Sequence, residues 1–533
     1  MPSPTSTLKV YQGAWTEKEI THLLKRTMFG AKKADVDYFK TRTVAQAIDE
    51  LVNTIPPTPA PPVKDYDTTG ASAPDDNIAQ GTTWVNDPNA DGTITSLRIA
   101  SFKKWWIGVM INQTRSVSEK MALFLHNHFS TDTPTVSNAQ FTYKHHALLR
   151  QYALGNFKDL AREVTIDPAM LAFLNGQYNA KSAPDENYGR ELQELFCCGK
   201  GPNSQYTEDD VKAAAKVLTG WQNNSNTISS YFTVSRHDTT NKQFSSFYNN
   251  TVIQGRSGTT AGLDEINDLL TMIFNTQESA KYICRCLYRW FVYYDITDFI
   301  EANIIGPLAD IFRNNNFELR PVLVALLQSE HFFDPLSMGC QIKNPVDLVV
   351  GTCREFDVVF PGTGDYKNSY SMWDSLHNWL KILQQDIGDP PDVSGWKAYY
   401  QIPQFYEQWI NSDTLPRRNQ FTDIFIVNGF TSNNQQIIID PVAYAKKLSN
   451  PADPNVLISD SAQLLFKIDL DADFVAQLKK DILLSGQLTD YYWTNAWNAY
   501  ISNPSDAVNA EIVKTKLQTL YKYFMDLAEY QLC

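Results

Sequence analysis

From Leu97 onward, apolar residues recur at helical spacing with few interruptions, and this periodicity constrains the fold more than any other feature of the chain. It runs through 97–112, 117–128, 141–153, 157–164, 185–197 and 207–219. It resumes through 262–274, 277–293, 299–313, 318–328, 344–356 and 373–384. Between the two sets, Tyr231-Phe-Thr-Val, Gln243-Phe and Thr251-Val-Ile are short β-type runs bounded by Asn and Gly, which predicts a small hairpin insert at 230–256. Upstream, Thr16-x-x-Glu19 is a capping box for a helix that ends near Phe29-Gly30, and a second helix covers 44–52. Residues 55–95, rich in Pro, Asp, Thr and Gly, predict a long polar loop or lid, too polar to pack a core. The stretch 387–410 reads as a loop and a short aromatic helix, 414–440 as mixed, and 460–533 as helical again.

The expected architecture is therefore mainly α: a large multi-helical domain with a small β-hairpin insert and a C-terminal helical extension. In residues, that is N-terminal helices over 1–54, the loop over 55–95, the main domain over 96–412 and the extension over 413–533. With 43% hydrophobic residues in 533, such a chain can bury a sizeable core. Its net charge of −13 argues against a general nucleic-acid binder, which needs a basic field to meet phosphates. No apolar run reaches the ~20 residues of a membrane span. The first residues carry no basic and apolar signal, so a cytoplasmic protein is expected, or one carried out by a partner. The seven cysteines include the adjacent pair Cys197-Cys198 and the alternate pair Cys284-x-Cys286, spacings that suit free buried thiols better than bridges.

Three constellations could carry chemistry. The first, Met121-Ala-Leu-Phe-Leu-His126-Asn127-His128, ends an all-apolar and hence buried helix in three polar side chains that need partners. His126 and His128 are the candidate metal ligands, and a divalent cation is the cofactor they would take. Yet residues i and i+2 of a helix diverge by roughly 200°, and two core histidines satisfied by hydrogen bonds are the better fit to that spacing. The second is the face of Asn187, Arg190, Glu191 and Glu194, which an α-helix gathers within about 100°. It is either an acid–amide–guanidinium cluster facing a cavity, the candidate catalytic set, or a solvated face laced by Glu186–Arg190 and Arg190–Glu194 pairs. The third is His237-Asp238 with Lys242, candidate binding residues or an exposed turn. Trp221, in Thr219-Gly-Trp, and Trp396, in Asp389-Pro-Pro-Asp-Val-Ser-Gly-Trp, are further binding candidates, the latter on a rigid loop that would present it to a pocket. Arg285 and Arg289 lie one turn apart. The phosphate-binding Gly-x-x-x-x-Gly-Lys loop, the Gly-x-Ser-x-Gly elbow, His-Glu-x-x-His and the two Glu-x-x-His motifs of a di-iron bundle are missing, so several enzyme classes fall away.

Many of these words occur together in one family. His22-Leu-Leu-Lys-Arg-Thr-Met-Phe-Gly30, His126-Asn-His128-Phe, Leu154-Gly-Asn-Phe157, Asp167-Pro-Ala-Met170 and Glu186-Asn187-x-x-Arg190-Glu191-Leu-x-Glu194-Leu are five of them. Tyr206-Thr-Glu-x-Asp-Val211, Leu218-Thr-Gly-Trp221, His237-Asp238-x-x-x-Lys242, Lys343-x-Pro-Val-Asp347 and Pro390-Pro-x-Val-x-Gly-Trp396 follow in order. The chain resembles the bacterial domain-of-unknown-function family 1800. Its ending, from Phe405-Tyr-x-x-Trp-Ile-Asn-Ser412 to Tyr530-Gln-Leu-Cys533, resembles the version common in Bacteroidetes-type bacteria. The resemblance implies a partner, a family 1501 protein similar to sulfatases and alkaline phosphatases that is often encoded beside such chains. It also implies an export signal in many members. Two functions then stand open: a binding or accessory protein acting with that partner, and a helical, metal-assisted enzyme with its site between the core helices.

Overall fold

The computed structural model describes residues 4–362 and 364–533, and the fold is mainly α-helical, with three two-stranded hairpins as its sheets. Thr16 and Glu19 close the capping box that starts the Glu17–Thr27 helix, as the sequence predicts. Just beyond its end, Gly30 holds φ +73°, and a Cβ there would stand 2.8 Å from the carbonyl oxygen of Gly351. A side chain would push this helix off the Pro345–Glu355 helix. The long Gly92–Ile111 helix packs on the Tyr366–Ile382 helix, and the two approach closely because Gly108 leaves the Trp373 ring the space of a Cβ. Buried apolar side chains from these helices and from the chain's C-terminal helices join in one continuous core.

Three segments depart from the periodicity reading. The insert begins earlier than 230: Trp221–Asn224 pairs antiparallel with Ser229–Phe232, and a second hairpin joins Lys242–Gln243 to Val252–Ile253. Trp-Gln-Asn-Asn lacks the β-branched alternation that marks a strand, so its pairing is set by tertiary context. The mixed stretch 414–440 resolves into a helix, Thr414–Val427, and a hairpin, Phe430–Ser432 with Gln435–Ile437, turned by Asn433 and Asn434 at positive φ. The loop 55–95 has no helix or strand before the Gly92–Ile111 helix begins within its end, yet it is anchored inside. Asp75 is fully buried, and Arg98 Nε and Nη2 donate to its carboxylate at 3.2 and 3.1 Å while the Tyr66 hydroxyl donates at 2.9 Å. Trp84 of the same loop is also fully buried. Polar composition hid this because the buried polar groups are paired.

All seven cysteines are free thiols. Among the described residues no helix is long and apolar enough to cross a membrane.

Candidate functional site

The Ser118–His128 helix is buried along its whole length, and its last residues meet the loop 386–396. That loop is clamped by polar contacts. Asp386 and Asp389 accept from Lys103 Nζ at 2.9 and 2.6 Å, and His377 Nε2 lies 2.7 Å from Asp386. The Gly388 amide donates to His126 Nε2 at 3.2 Å, and the Trp396 amide donates to Asn127 Oδ1 at 2.9 Å. Gly395, at φ +85°, permits the last contact, since a Cβ would stand 2.4 Å from Asn127 Oδ1. Trp396 itself turns inward, 3% exposed, with its ring 5.7 Å from that of His126. The rigid loop is real, but what it presents to a cavity is its continuation, Tyr399, Tyr400 and Phe405, and not the tryptophan.

The two histidines are set in opposite states. Gly388 N–H donates to His126 Nε2, so the lone pair of that nitrogen is in use. His128 Nε2 lies 2.9 Å from the carbonyl oxygen of Phe196, which can only accept, so Nε2 carries the proton and Nδ1 keeps the lone pair. Burial holds both neutral at pH 7. It pulls His126 down to about 3, helped by His145 and Lys103, and His128 down to about 4. The rings reach different partners on different elements, and among the described residues no three His, Cys, Asp or Glu side chains group as a metal site requires.

The acidic helix divides as well. Asn187–Glu191 is α-helical, but Leu192–Cys197 is a π-helix in which the Cys198 amide donates to Gln193 O. Glu194 lies within this wider turn. Arg190 pairs with Glu186 and Glu208 at 3.2 and 2.7 Å at the surface, so the solvated-face reading holds for it, while the expected Arg190–Glu194 pair is replaced by Lys200–Glu194 at 2.8 Å. Asn187 Nδ2 reaches Leu174 O at 3.4 Å. Glu191 is half-buried, and its carboxyl is pushed up by that burial and by Glu194. Gln193, facing inward, ties the π turn down: Nε2 donates to Gly189 O and Oε1 accepts from the Tyr248 hydroxyl, both at 2.8 Å.

One cleft of about 490 Å³ brings the first two constellations together in part. Asn127 and His128 line it from the helix end, Glu194 and Lys200 from the π turn and its exit, Tyr282 and Arg289 from the Gln277–Phe291 helix, and Tyr399, Tyr400 and Phe405 from the loop. His126, Asn187, Arg190 and Glu191 stay outside it. Arg289 is distinctive. Its neighbour Arg285 is consumed by Glu301 and Glu278, at 2.7 and 2.5 Å. Among the described residues Arg289 has no carboxylate partner, only a 3.4 Å bond from Nε to Tyr294 O and the Phe405 ring 5.5 Å away.

Residues 22–532 match the family described as "Protein of unknown function (DUF1800)". The chain belongs to the DUF1800 family. No curated protein and no solved structure matches it.

In this DUF1800 chain the third constellation closes on a residue that pattern reading missed, Glu265. His237 Nε2 and Lys242 Nζ reach its two carboxylate oxygens at 3.1 and 2.6 Å, and the Arg256 amide donates to it at 2.7 Å. Burial pushes that carboxyl up, but the bonds from His237 and Lys242 outweigh it and hold it below the usual carboxylate range. Asp238 caps the Thr240 amide and hydroxyl. With His237, Lys242 and Glu265 all at most 1% exposed, and Trp221 buried against Phe232, the set is a closed internal network. Glu265 lies 28 residues from His237, on the Ala261–Asn275 helix, and no spacing rule links them. Arg289 carried a signal only as half of an arginine pair.

Proposed function

We propose that this protein is a binding protein whose working site is the cleft over the end of the Ser118–His128 helix. The observation that carries the reading is Arg289: a guanidinium on a cleft wall without a carboxylate partner, flanked by aromatic rings, is an anchor for an acidic group. Opposite it, His128 Nδ1 offers a neutral acceptor, and Glu194 with Lys200 forms a polar rim. The occupant we assign is an acidic segment of the sulfatase-like partner that the family resemblance implies. The test is co-purification with the sulfatase-like protein encoded beside this one. Arg289→Ala is expected to weaken the complex about tenfold, while Arg190→Ala leaves it unchanged. An unaltered complex with Arg289→Ala, or none with the wild type, removes the reading.

A second reading, a metal-assisted enzyme, is favoured by one observation: the free Nδ1 of His128 and the Glu194 carboxylate face the same cleft. Metal analysis of the purified protein decides it. Stoichiometric metal lost in both His128→Ala and Glu194→Ala supports the enzyme; metal-free active complex supports the binding protein.

A further inference from the structure

On another side of the molecule, Pro56-Pro57-Thr58-Pro59-Ala60-Pro61-Pro62 runs as a strap over the Gly92–Ile111 helix. Its prolines have no N–H to offer, so the protein holds it through its carbonyls and its exit: Trp105 Nε1 donates to Ala60 O at 2.7 Å, and the Val63 amide donates to the Tyr370 hydroxyl at 3.1 Å. Two cavities, of about 370 and 460 Å³, both border the strap at 56–59, Trp105, Ser118 and Glu119. The first is mostly apolar, walled by Gly108, Val109, Tyr366, Tyr370 and Trp373, with Asn112 and Gln113 along one edge. The second ends in charge, at Arg150 and Arg320.

The charges there do not cancel. Arg150 is used: its Nη1 and Nη2 donate to the two Glu119 oxygens at 2.7 and 2.9 Å. Among the described residues Arg320 makes no ion pair and no hydrogen bond, and its Nε is buried without a partner. One unpaired cation thus lines the second cavity, which shares the strap, Trp105, Ser118 and Glu119 with the first.

We infer that these two adjoining cavities together form a second ligand site, for a linear carboxylate amphiphile whose head sits on Arg320 and whose alkyl tail runs past Trp105 toward Gly108 and Val109. A free carboxylate alone would gain little from one partly exposed guanidinium, whereas each methylene of a buried tail adds to the binding. A cationic head would meet net positive charge at the Arg320 end. The site is independent of the cleft.

The experiment is titration calorimetry of the whole protein with dodecanoate and octanoate below their micelle concentrations, and with dodecyltrimethylammonium. Saturable one-to-one dodecanoate binding is expected, with no binding of the ammonium compound. Arg320→Gln should weaken dodecanoate about tenfold. Val109→Trp, which fills the apolar end, should lower dodecanoate affinity and spare octanoate. Arg289→Ala, in the other cleft, should change nothing. No saturable dodecanoate binding, equal affinity in Arg320→Gln, or indifference to head-group charge overturns the inference. Arg320 is partly exposed, so its variant decides the matter even if Val109→Trp does not fold.

Discussion

A buried imidazole kept neutral links side-chain chemistry to stability. His128 and His126 have folded values of about 4 and 3 against an ordinary 6.5. Below pH 6.5 the unfolded chain takes up protons that the folded chain refuses, so their contribution is complete above 6.5 and is lost as pH falls toward the folded values. Between pH 7 and 5, where most carboxylates stay ionised, each of the two should cost about 2 kcal/mol. Urea midpoints at both pH values measure it, and His128→Gln should shrink the drop by about that amount; a midpoint independent of pH over this range would contradict it. The need of these histidines for partners could be read from the apolar run before them. Which partners they take could not, because Gly388 and Phe196 offer backbone groups, and any residue type supplies those.

Among the elements, the π turn and the Glu265 network decide what the polar sequence words are for. Gln193→Ala leaves the buried Tyr248 hydroxyl only the 3.9 Å contact with Cys198 Sγ and should cost ~1–3 kcal/mol in urea unfolding. Glu265→Gln leaves Lys242 and His237 buried without their carboxylate and should cost ~3–5 kcal/mol. Arg190→Ala, at the surface, should leave the midpoint unmoved. Equal losses at Glu265 and Arg190 would mean that the network is solvated. Helices were legible because a repeat of 3.6 residues marks a face. The π turn was not: it keeps the residue types of an α-helix and changes only the register of the turn from which Glu194 reaches Lys200 and the cleft. The hairpin at Trp221 was missed for a related reason, since pairing across a sheet leaves little mark in Gln-Asn-Asn.

Across the whole molecule, the residues after 412 are tied into the core. The Lys343 amide donates to Gln531 O at 2.7 Å, and Arg418 Nη2 donates to Lys343 O at 2.7 Å. Glu355, fully enclosed, meets Lys25 from the first helix, Lys343 at 3.8 Å and the Tyr530 hydroxyl at 3.2 Å. Lys467, held well below its ordinary value by burial and by Lys25, bonds to Thr21. A single carboxylate thus joins the beginning, middle and end of the chain. Unfolding should be one cooperative transition, and a chain ending at 412 should be degraded by limited proteolysis under conditions where the full chain survives. Two separated transitions would instead mean that the residues after 412 fold as a unit of their own.

The account stands or falls on the cleft, and carbethoxylation mapped by mass spectrometry tests it most directly. In the free protein at pH 7, His128, with its Nδ1 lone pair on the cleft, should be modified, and His126, whose acceptor nitrogen is occupied by Gly388, should not. Adding the sulfatase-like protein should protect His128. Modification of His126 alone, or of His128 to the same extent with that protein bound, would contradict the assignment of the cleft as the working site.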